Sequence, residues 1–273
     1  MYRNFFIAGL IALLSACGGG TGGVGPSVSQ VKALSLKYGQ TAAIYVVGKY
    51  LRTDMVAETG TCANPSFSAL STTEAAILNC RITVTGPMPI SIKDADGVVL
   101  FTTTLTVMQP QVTLVTSEGS LVMELYPDVV PGTVNNFLSY VNKGFYATTI
   151  FHRVIAGFVI QAGGYTKGVV TREGQTAPIV LESNKGLSNT RGSVAMARAS
   201  EANSATSQFF INLVDNPFLD FASAASPGYA VFGKVLSGLA VVDAIAGKPT
   251  GASAGLVDVP LADVTILSAT QTQ

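Results

Sequence analysis

Short runs of alternating apolar and polar residues, separated by turn-forming residues, occur along much of the chain. Ala42, Ile44 and Val46 alternate in this way, and the turn sequence Asp-Ala-Asp-Gly at 94–97 lies between two further runs. Alternation with a period of two predicts strands with one buried face, and a glycine-containing turn between two such runs predicts a hairpin. We therefore expect a mainly β protein, with a small β-sandwich over residues 31–108.

The carboxyl-terminal part, residues 110–269, combines strand patterns with two helical ones. Apolar residues recur at i, i+3, i+4 and i+7 from Val134, between Pro131 and Gly144, and Leu239–Ala246 has a second helical pattern. A closed antiparallel barrel capped by two helices fits this order of elements. The predicted strands of this part are Val112–Thr116, Leu121–Leu125, Ile150–Ile155, Phe158–Gln161, Gln208–Leu213, Ala230–Val235 and Val264–Leu267.

Charge and metal-ligand content exclude several classes of function. The chain has 16 basic and 16 acidic residues and a net charge of zero, and no basic stripe, so we expect no nucleic-acid partner. It has one histidine and three cysteines, which leave little room for a zinc site. We therefore expect neither a metal nor a cofactor.

Three short matches to ligand-binding motifs fail in their context. Residues 20–25 fit the dinucleotide pattern G-x-G-x-x-G, but no strand precedes them and no helix follows. Residues 228–234 fit most of a P-loop, but Val235 replaces the hydroxyl residue that holds magnesium. The turn at 94–97 lacks the remaining ligands of a calcium loop.

The amino terminus has the features of a secretory signal. Arg3 precedes the uncharged apolar run Phe5–Leu14, which is too short for a spanning helix of about 20 residues. Leu14-Ser15-Ala16-Cys17 resembles the lipobox of bacterial lipoproteins, which implies a signal peptide over 1–16 and acylation of Cys17. An ordinary signal peptide with an incidental cysteine is the alternative.

Residues 17–30 are predicted to be the lipidated cysteine and a flexible glycine-rich tether. The lipobox resemblance implies attachment to a membrane through the N-terminal lipid, and several acyl chains together anchor stably. It places the protein in the bacterial cell envelope, and Gly18 in place of an aspartate implies the outer membrane, facing the periplasm.

The segment 31–108 resembles a bacterial immunoglobulin-like domain. It contains Cys62 and Cys80, the only cysteines after position 17. Export to an oxidising compartment predicts a disulfide between them, and two free thiols are the alternative.

Three segments contain most of the unusual polar and aromatic residues of the carboxyl-terminal part. They are FHRVIAGFVIQ at 151–161, the stretch from Met196-Ala197-Arg198 to SQFFIN at 207–212, and Phe218-Leu219-Asp220; GYAVFGKV follows at 228–235. Through these segments, residues 112–267 resemble the cyclophilin family of peptidyl-prolyl isomerases, especially its bacterial periplasmic members. The resemblance implies a cyclophilin-like barrel that isomerises X-Pro bonds of exported proteins and so assists folding, with proline-containing polypeptides as partners.

The resemblance also implies roles for individual residues. Arg153 would donate a hydrogen bond to the imide nitrogen of the twisted bond, and Gln161 would hold Arg153 and the substrate carbonyl. Phe158 is the third implied catalytic residue, and it would clasp the proline ring with Val159, Phe210 and Leu219. The other implied substrate-binding residues, of which the first two would pair through their backbone, are Ala197, Arg198, Gln208, Phe218 and Tyr229. Phe218 and Tyr229 stand where many family members have tryptophan and histidine.

Alternatives stay open for the residues and for the function. Arg153 could serve a surface ion pair, Phe158 and Phe210 could be core residues, and Gln161 and Gln208 could be polar residues at strand edges. A proline-peptide binding or chaperone module with little turnover is one alternative function. The other is an envelope interaction protein that uses both domains as adhesive modules.

Overall fold

The computed structural model describes residues 25–69 and 72–273, which contain 18 strands and two α-helices. The predicted signal peptide, Cys17 and residues 17–24 of the predicted tether lie outside the described residues. The first strand begins at Ser27 rather than after residue 30. The predicted tether therefore extends too far, because Val28 already packs against an apolar core.

Seven strands form two sheets that enclose one apolar core. They are β1 (Ser27–Ala33), β2 (Thr41–Lys49), β3 (Val56–Thr59), β4 (Cys62–Phe67), β5 (Ala75–Ile82), β6 (Gly86–Lys93) and β7 (Val99–Val107). The sheet orders are β1-β2-β5-β4 and β3-β6-β7. Alternate side chains of both sheets, such as Ile44, Leu78 and Ile90, are buried in the same cluster. Two sheets that bury one face against each other form a β-sandwich.

A disulfide joins Cys62 of β4 to Cys80 of β5. Both residues are buried, and β4 and β5 are neighbours in one sheet, so the bridge links adjacent strands rather than the two sheets. The disulfide predicted from the export signal is confirmed.

Eight further strands form a nearly closed antiparallel barrel. They are β8 (Gln111–Thr116), β9 (Gly119–Leu125), β10 (Thr149–Ile155), β11 (Val159–Thr166), β13 (Ser193–Met196), β14 (Phe209–Asn212), β15 (Val231–Ser237) and β18 (Ile266–Gln271). Their order is β10-β11-β14-β13-β15-β9-β8-β18, and the short β12 (Val170–Thr171) pairs with β11. The Phe151 N–H donates to the Val264 carbonyl at 2.9 Å, and Ile150 bridges to Thr265, so the first and last strands approach each other.

Two helices, α1 (Pro131–Asn142) and α2 (Leu239–Ala246), bury their apolar faces in the barrel core. The Phe137 ring of α1 contacts Tyr146, Phe209 and Phe232 at centroid distances of 5.2, 5.5 and 5.0 Å. Aromatic side chains bury more surface than most others, so rings packed in this way contribute much of the apolar area that the core removes from water. The mainly β fold with a helix-capped barrel is confirmed. No helix among residues 25–69 and 72–273 is long and apolar enough to cross a membrane.

In the carboxyl-terminal part, the sequence patterns miss four strands and misplace one. They miss β12, β13, β16 (Thr250–Ser253) and β17 (Leu256–Pro260). All four side chains of β13 are buried, so it has no alternation, and most residues of the β16–β17 hairpin are exposed or partly exposed. The last strand is Ile266–Gln271 instead of Val264–Leu267, because its pairing with β8 continues to Gln271.

The loop between β1 and β2 docks on the barrel. Tyr38 in this loop is 4% exposed and packs in the barrel core. Gln271 at the end of β18 donates from Nε2 to the Tyr38 carbonyl at 3.0 Å and accepts at Oε1 from Gln40 Nε2 at 2.9 Å. Lys37 Nζ donates to the Gln271 carbonyl at 2.8 Å. The sandwich and the barrel therefore share a packed junction in which Lys37, Gln40 and Gln271 are hydrogen-bonded across the two parts.

His152, the only histidine of the chain, is buried in β10. Its ring centroid lies 4.7 Å from that of Tyr165, and its Nδ1 makes no hydrogen bond in the described part of the chain. Burial lowers the pKa of His152 to about 4, because removal from water penalises the imidazolium. The imidazole is therefore neutral at pH 7.

Replacing both Cys62 and Cys80 by alanine should lower the free energy of unfolding of the sandwich by about 3 kcal/mol, because the bridge closes a loop in the unfolded chain. Urea unfolding of the wild type and the double variant, with and without reductant, measures this. The reductant should destabilise the wild type and leave the variant unchanged. The prediction would be contradicted if the urea midpoint of the wild type were the same with and without the reductant.

Acidification should destabilise the wild type more than a His152→Gln variant. Between pH 6.5 and pH 4 the unfolded chain binds a proton at His152 that the folded chain does not, so stability falls as the pH falls. The difference should approach a limit on the order of 3 kcal/mol below pH 4. Urea unfolding at pH 7, 6, 5 and 4.5 measures it, and the carboxylates common to both proteins cancel in the difference. Parallel curves over this range would rule the effect out.

Candidate active site

The barrel wall has an apolar inner face and an apolar patch on its outer face. Phe209 packs in the barrel core, whereas its neighbour Phe210 belongs to a separate outer cluster. Ile160 and Val159 are divided in the same way, because successive strand residues face opposite sides of a sheet. The buried members of this outer cluster are Val159, Ala195, Ala197, Phe210 and Val231.

A groove of about 290 Å³ lies over the outer cluster. It brings together nine of the residues that the cyclophilin resemblance implies for the site: Arg153, Phe158, Val159, Gln161, Ala197, Arg198, Phe210, Leu219 and Tyr229. Gln208 and Phe218 do not line the groove, but each contacts a residue that does. Residues from distant parts of the sequence therefore meet at one surface.

Strand register places the polar residues beside the apolar ones. Arg153 of β10 is paired with Gln161 of β11, Gln161 with Phe210 of β14, and Phe210 with Ala195 of β13. Directly paired residues on one face have Cβ atoms about 5 Å apart. The pairing thus forms a continuous row of residues across four strands. Phe210 packs in the outer cluster, so it is not a residue of the barrel core.

The Arg153 guanidinium is uncompensated. It takes part in none of the five ion pairs found within residues 25–69 and 72–273, so the surface ion-pair alternative has no support. Its Cζ lies 5.8 Å from the centroid of the Phe158 ring. Guanidinium is always protonated and offers several N–H donors in one plane, so Arg153 can donate to a ligand in the groove.

Gln208 orients Gln161 from outside the groove. The Nε2 of Gln161 donates to Oε1 of Gln208 at 2.9 Å. Gly164 leaves space for the Gln208 side chain, since a Cβ at that glycine would lie 2.5 Å from Gln208 Cδ. The two glutamines are thus hydrogen-bonded to each other beside Arg153. They are not isolated polar residues at strand edges.

Backbone hydrogen bonds hold the loops that carry the apolar wall. The Phe158 carbonyl accepts from the Leu213 N–H at 2.9 Å and from Asn216 Nδ2 at 3.2 Å. The Tyr229 N–H donates to the Leu219 carbonyl at 2.9 Å. Asn216 thus supports the site although no motif in the sequence singled it out.

Asp220 fixes the end of the loop that contains Leu219. Its Oδ1 accepts from the backbone N–H and the Nδ2 of Asn189 at 2.7 and 2.8 Å. Burial raises the pKa of Asp220, but these hydrogen bonds outweigh burial and hold the pKa below its usual value. The carboxylate is absent from the groove lining, so it acts on the site through the loop; the sequence places Asp220 in the segment 218–220 but indicates no role for it.

Phe218 is 70% exposed and stacks on Phe158, with the centroids 5.8 Å apart and the rings inclined by 19°. It therefore lies at the rim of the groove, next to the apolar wall, rather than within it.

One of the backbone groups at Ala197 and Arg198 is already engaged within the protein. The Ala197 N–H donates to the Gln208 carbonyl at 2.9 Å, so this N–H is not available to a bound peptide. The backbone N–H and carbonyl of Arg198 make no hydrogen bond among the described residues. The Ala197 carbonyl and the backbone of Arg198 are therefore the groups that remain free for pairing with a peptide.

Within the described parts of the chain, no group of three or more histidine, cysteine, aspartate or glutamate side chains could hold a metal ion.

Residues 111–271 match a protein-family model described as cyclophilin type peptidyl-prolyl cis-trans isomerase/CLD. Peptidyl-prolyl cis-trans isomerase B of Escherichia coli is 50% identical over 161 residues, which are 58% of this chain and 98% of that protein. Peptidyl-prolyl cis-trans isomerase cyp18 of Streptomyces antibioticus is 51% identical over 160 residues, or 58% and 96% of the two chains.

The fold has solved relatives of the same type. A Cryptosporidium parvum cyclophilin type peptidyl-prolyl cis-trans isomerase, crystallised in the presence of the dipeptide Ala-Pro, superposes with a TM-score of 0.51 and 30% identity. The superposition covers 60% of this chain and 99% of that one. With more than half of its length matched in sequence, and with the barrel and groove described above, this chain belongs to the cyclophilin-type peptidyl-prolyl cis-trans isomerase family.

Proposed function

We propose that this chain isomerises X-Pro peptide bonds of exported proteins while a lipid on Cys17 holds it at a membrane of the bacterial envelope. Membership of the family and the isomerase relatives support the reaction. The observation that carries the proposal is the uncompensated Arg153 guanidinium at the edge of an apolar groove.

Isomerisation needs no acid, base or nucleophile, because no covalent bond is made or broken. The barrier of about 18–20 kcal/mol reflects the loss of amide resonance. In the twisted transition state the imide nitrogen regains its lone pair and becomes a hydrogen-bond acceptor. A donor aimed at that nitrogen stabilises the transition state more than the ground state, and Arg153 is the donor that the groove supplies.

Gln161 positions the reacting peptide. Its amide nitrogen is engaged by Gln208, and its Oε1 makes no hydrogen bond within the described residues. This oxygen can accept from Arg153, while the second Nε2 hydrogen can reach the substrate carbonyl. Because Gln208 and Gly164 fix the amide beforehand, little ordering is left for the moment of binding.

The apolar wall favours the twisted amide in a second way. Twisting lowers the charge separation along the bond, so apolar surroundings disfavour the planar form relative to the transition state. The wall residues Phe158, Val159, Phe210 and Leu219 also offer apolar area to the proline ring. The dipeptide Ala-Pro, with which the Cryptosporidium parvum relative was crystallised, contains such a proline ring and one X-Pro bond.

A binding module with little turnover is the second candidate function. The exposed Phe218 rim favours it, since apolar side chains at a rim hold peptides without acting on the bond. The uncompensated Arg153 favours catalysis, because an unpaired charge gives no benefit to simple capture of a proline ring. An envelope interaction protein remains the third candidate, with the sandwich as its adhesive part.

A role in folding follows from the reaction. Uncatalysed prolyl isomerisation takes tens of seconds or longer and limits the folding of many chains. The lipobox at Leu14–Cys17 supports a location in the envelope, at the outer membrane and facing the periplasm. Exported chains that fold in that compartment are the proposed substrates.

Replacing Arg153 by alanine should lower kcat/KM for a proline peptide about 100-fold, the usual cost of removing one transition-state donor. NMR exchange measurements on a short X-Pro peptide, with the purified protein, give the rate. Arg81→Ala is the matched control, because Arg81 is an exposed arginine on the sandwich, and it should leave the rate unchanged. A rate within about twofold of the wild type in Arg153→Ala would refute the catalytic role, and retained peptide binding without turnover would favour the binding module.

A Cys17→Ser variant should move from the membrane fraction to the soluble fraction, because it lacks the thiol that carries the lipid. Fractionation of producing cells, followed by immunodetection, measures the distribution. The Cys62→Ser/Cys80→Ser variant serves as the control and should stay with the membranes. Continued membrane association of Cys17→Ser would argue against the anchor.

A further inference from the structure

The groove is lined by two positive charges and no negative one. Arg153 and Arg198 are the only charged residues of its lining, and neither takes part in an ion pair within residues 25–69 and 72–273. Glu201, three positions after Arg198, pairs with neither arginine. A partly buried apolar wall raises the strength of any charge interaction made beside it. The lining therefore favours binding of a negatively charged group, and the described residues contribute no such group to it.

Arg198 is held in one geometry by its own surroundings. Its Nε donates to the Gly228 carbonyl at 2.9 Å, and its Nη1 donates to the carbonyls of Ala199 and Ser200 at 3.0 and 3.2 Å. Its Cζ lies 4.8 Å from the centroid of the Tyr229 ring. The remaining nitrogen, Nη2, makes no hydrogen bond within the described residues. The side chain has thus already lost the rotamer freedom that a flexible arginine loses on binding, while one N–H₂ group stays free.

The position of Arg198 relative to the apolar wall sets where a negative group would bind. The ring of Tyr229 contacts the ring of Phe210 edge-on, with centroids 5.5 Å apart. Two successive contacts, of 4.8 and 5.5 Å, therefore separate the guanidinium from Phe210. An extended peptide covers such a span in about three residues. A side chain that reaches Arg198 consequently belongs to a residue close to a proline that sits against Phe210.

We infer that Arg198 is a specificity-determining residue that selects proline sites with an aspartate or glutamate within about three residues of the proline. The free Nη2 and the unpaired charge together offer a charge-assisted hydrogen bond to a carboxylate. The inference rests on the proposed isomerase function, because it names a substrate class for the same groove. The three carbonyl contacts of Arg198 also brace the groove wall, so a test must separate bracing from selection.

Matched peptides separate the two roles. Pairs that differ only by glutamate or glutamine at one, two or three positions before the proline are compared with the purified protein, and a second set has the change after the proline. For at least one pair, kcat/KM should be about fivefold higher for the glutamate peptide at low ionic strength, mainly through a lower KM. The ratio should shrink in 0.5 M salt, which screens exposed charges.

An Arg198→Gln variant should bring the glutamate-to-glutamine ratio close to one. Loss of bracing would lower the rates for both peptides and leave the ratio intact, so the ratio reports selection alone. Arg198→Lys keeps the positive charge but lacks the planar guanidinium with its several N–H donors, so it should give an intermediate ratio. Lys143→Gln removes a charge from an exposed lysine at the end of α1 and should leave the ratio as in the wild type.

Two results would overturn the inference: a wild-type ratio of one for every pair, or a raised ratio that persists in Arg198→Gln. Turnover of the glutamine peptides measures the proposed function separately. Normal turnover with a ratio of one removes only the selection by Arg198, whereas no turnover of any peptide removes the isomerase proposal and this inference with it.

Discussion

Successive side chains of a β-strand face opposite sides of the sheet, and the groove depends on this constraint. In β14, Phe209 packs inward against α1 while Phe210 packs outward in the outer cluster. In β11, Ile160 lies in the barrel core while Gln161 lines the groove. The same backbone pairing that closes the barrel therefore sets the spacing of the groove residues that lie on strands.

The patterns that depend on local repetition are those that sequence analysis predicts well. Helix α2 has the predicted bounds, and α1 begins at the predicted Pro131. Strands of the sandwich follow from alternation, as in β2. Strand β13 was beyond this reasoning, because its four residues are all buried and show no alternation, whereas the equally buried β14 lies in the longer predicted run Gln208–Leu213. The start of β1 was also out of reach, since its glycine-rich flank resembles a linker until β2 is seen to pair with it.

The sequence was enough to predict which residues form the site, but not which hydrogen bonds connect them. The segments that carry the cyclophilin resemblance together contain all nine residues that line the groove. The bond between Gln161 and Gln208, the hold of Asn216 on the Phe158 carbonyl, and the loss of the Ala197 N–H to Gln208 all depend on contacts between segments. Local sequence contains no signal for such contacts, because they appear only once the strands are in register.

Tyr38 comes before the barrel in sequence but is buried within its core. A chain cut to start at residue 110 would keep every groove residue, yet it would expose the apolar surface that Tyr38 covers and would strip Gln271 of its contacts with Tyr38 and Gln40. The amino-terminal sheets thus cover an apolar part of the barrel surface, and a foreign module in their place would have to cover the same part or leave it in contact with water.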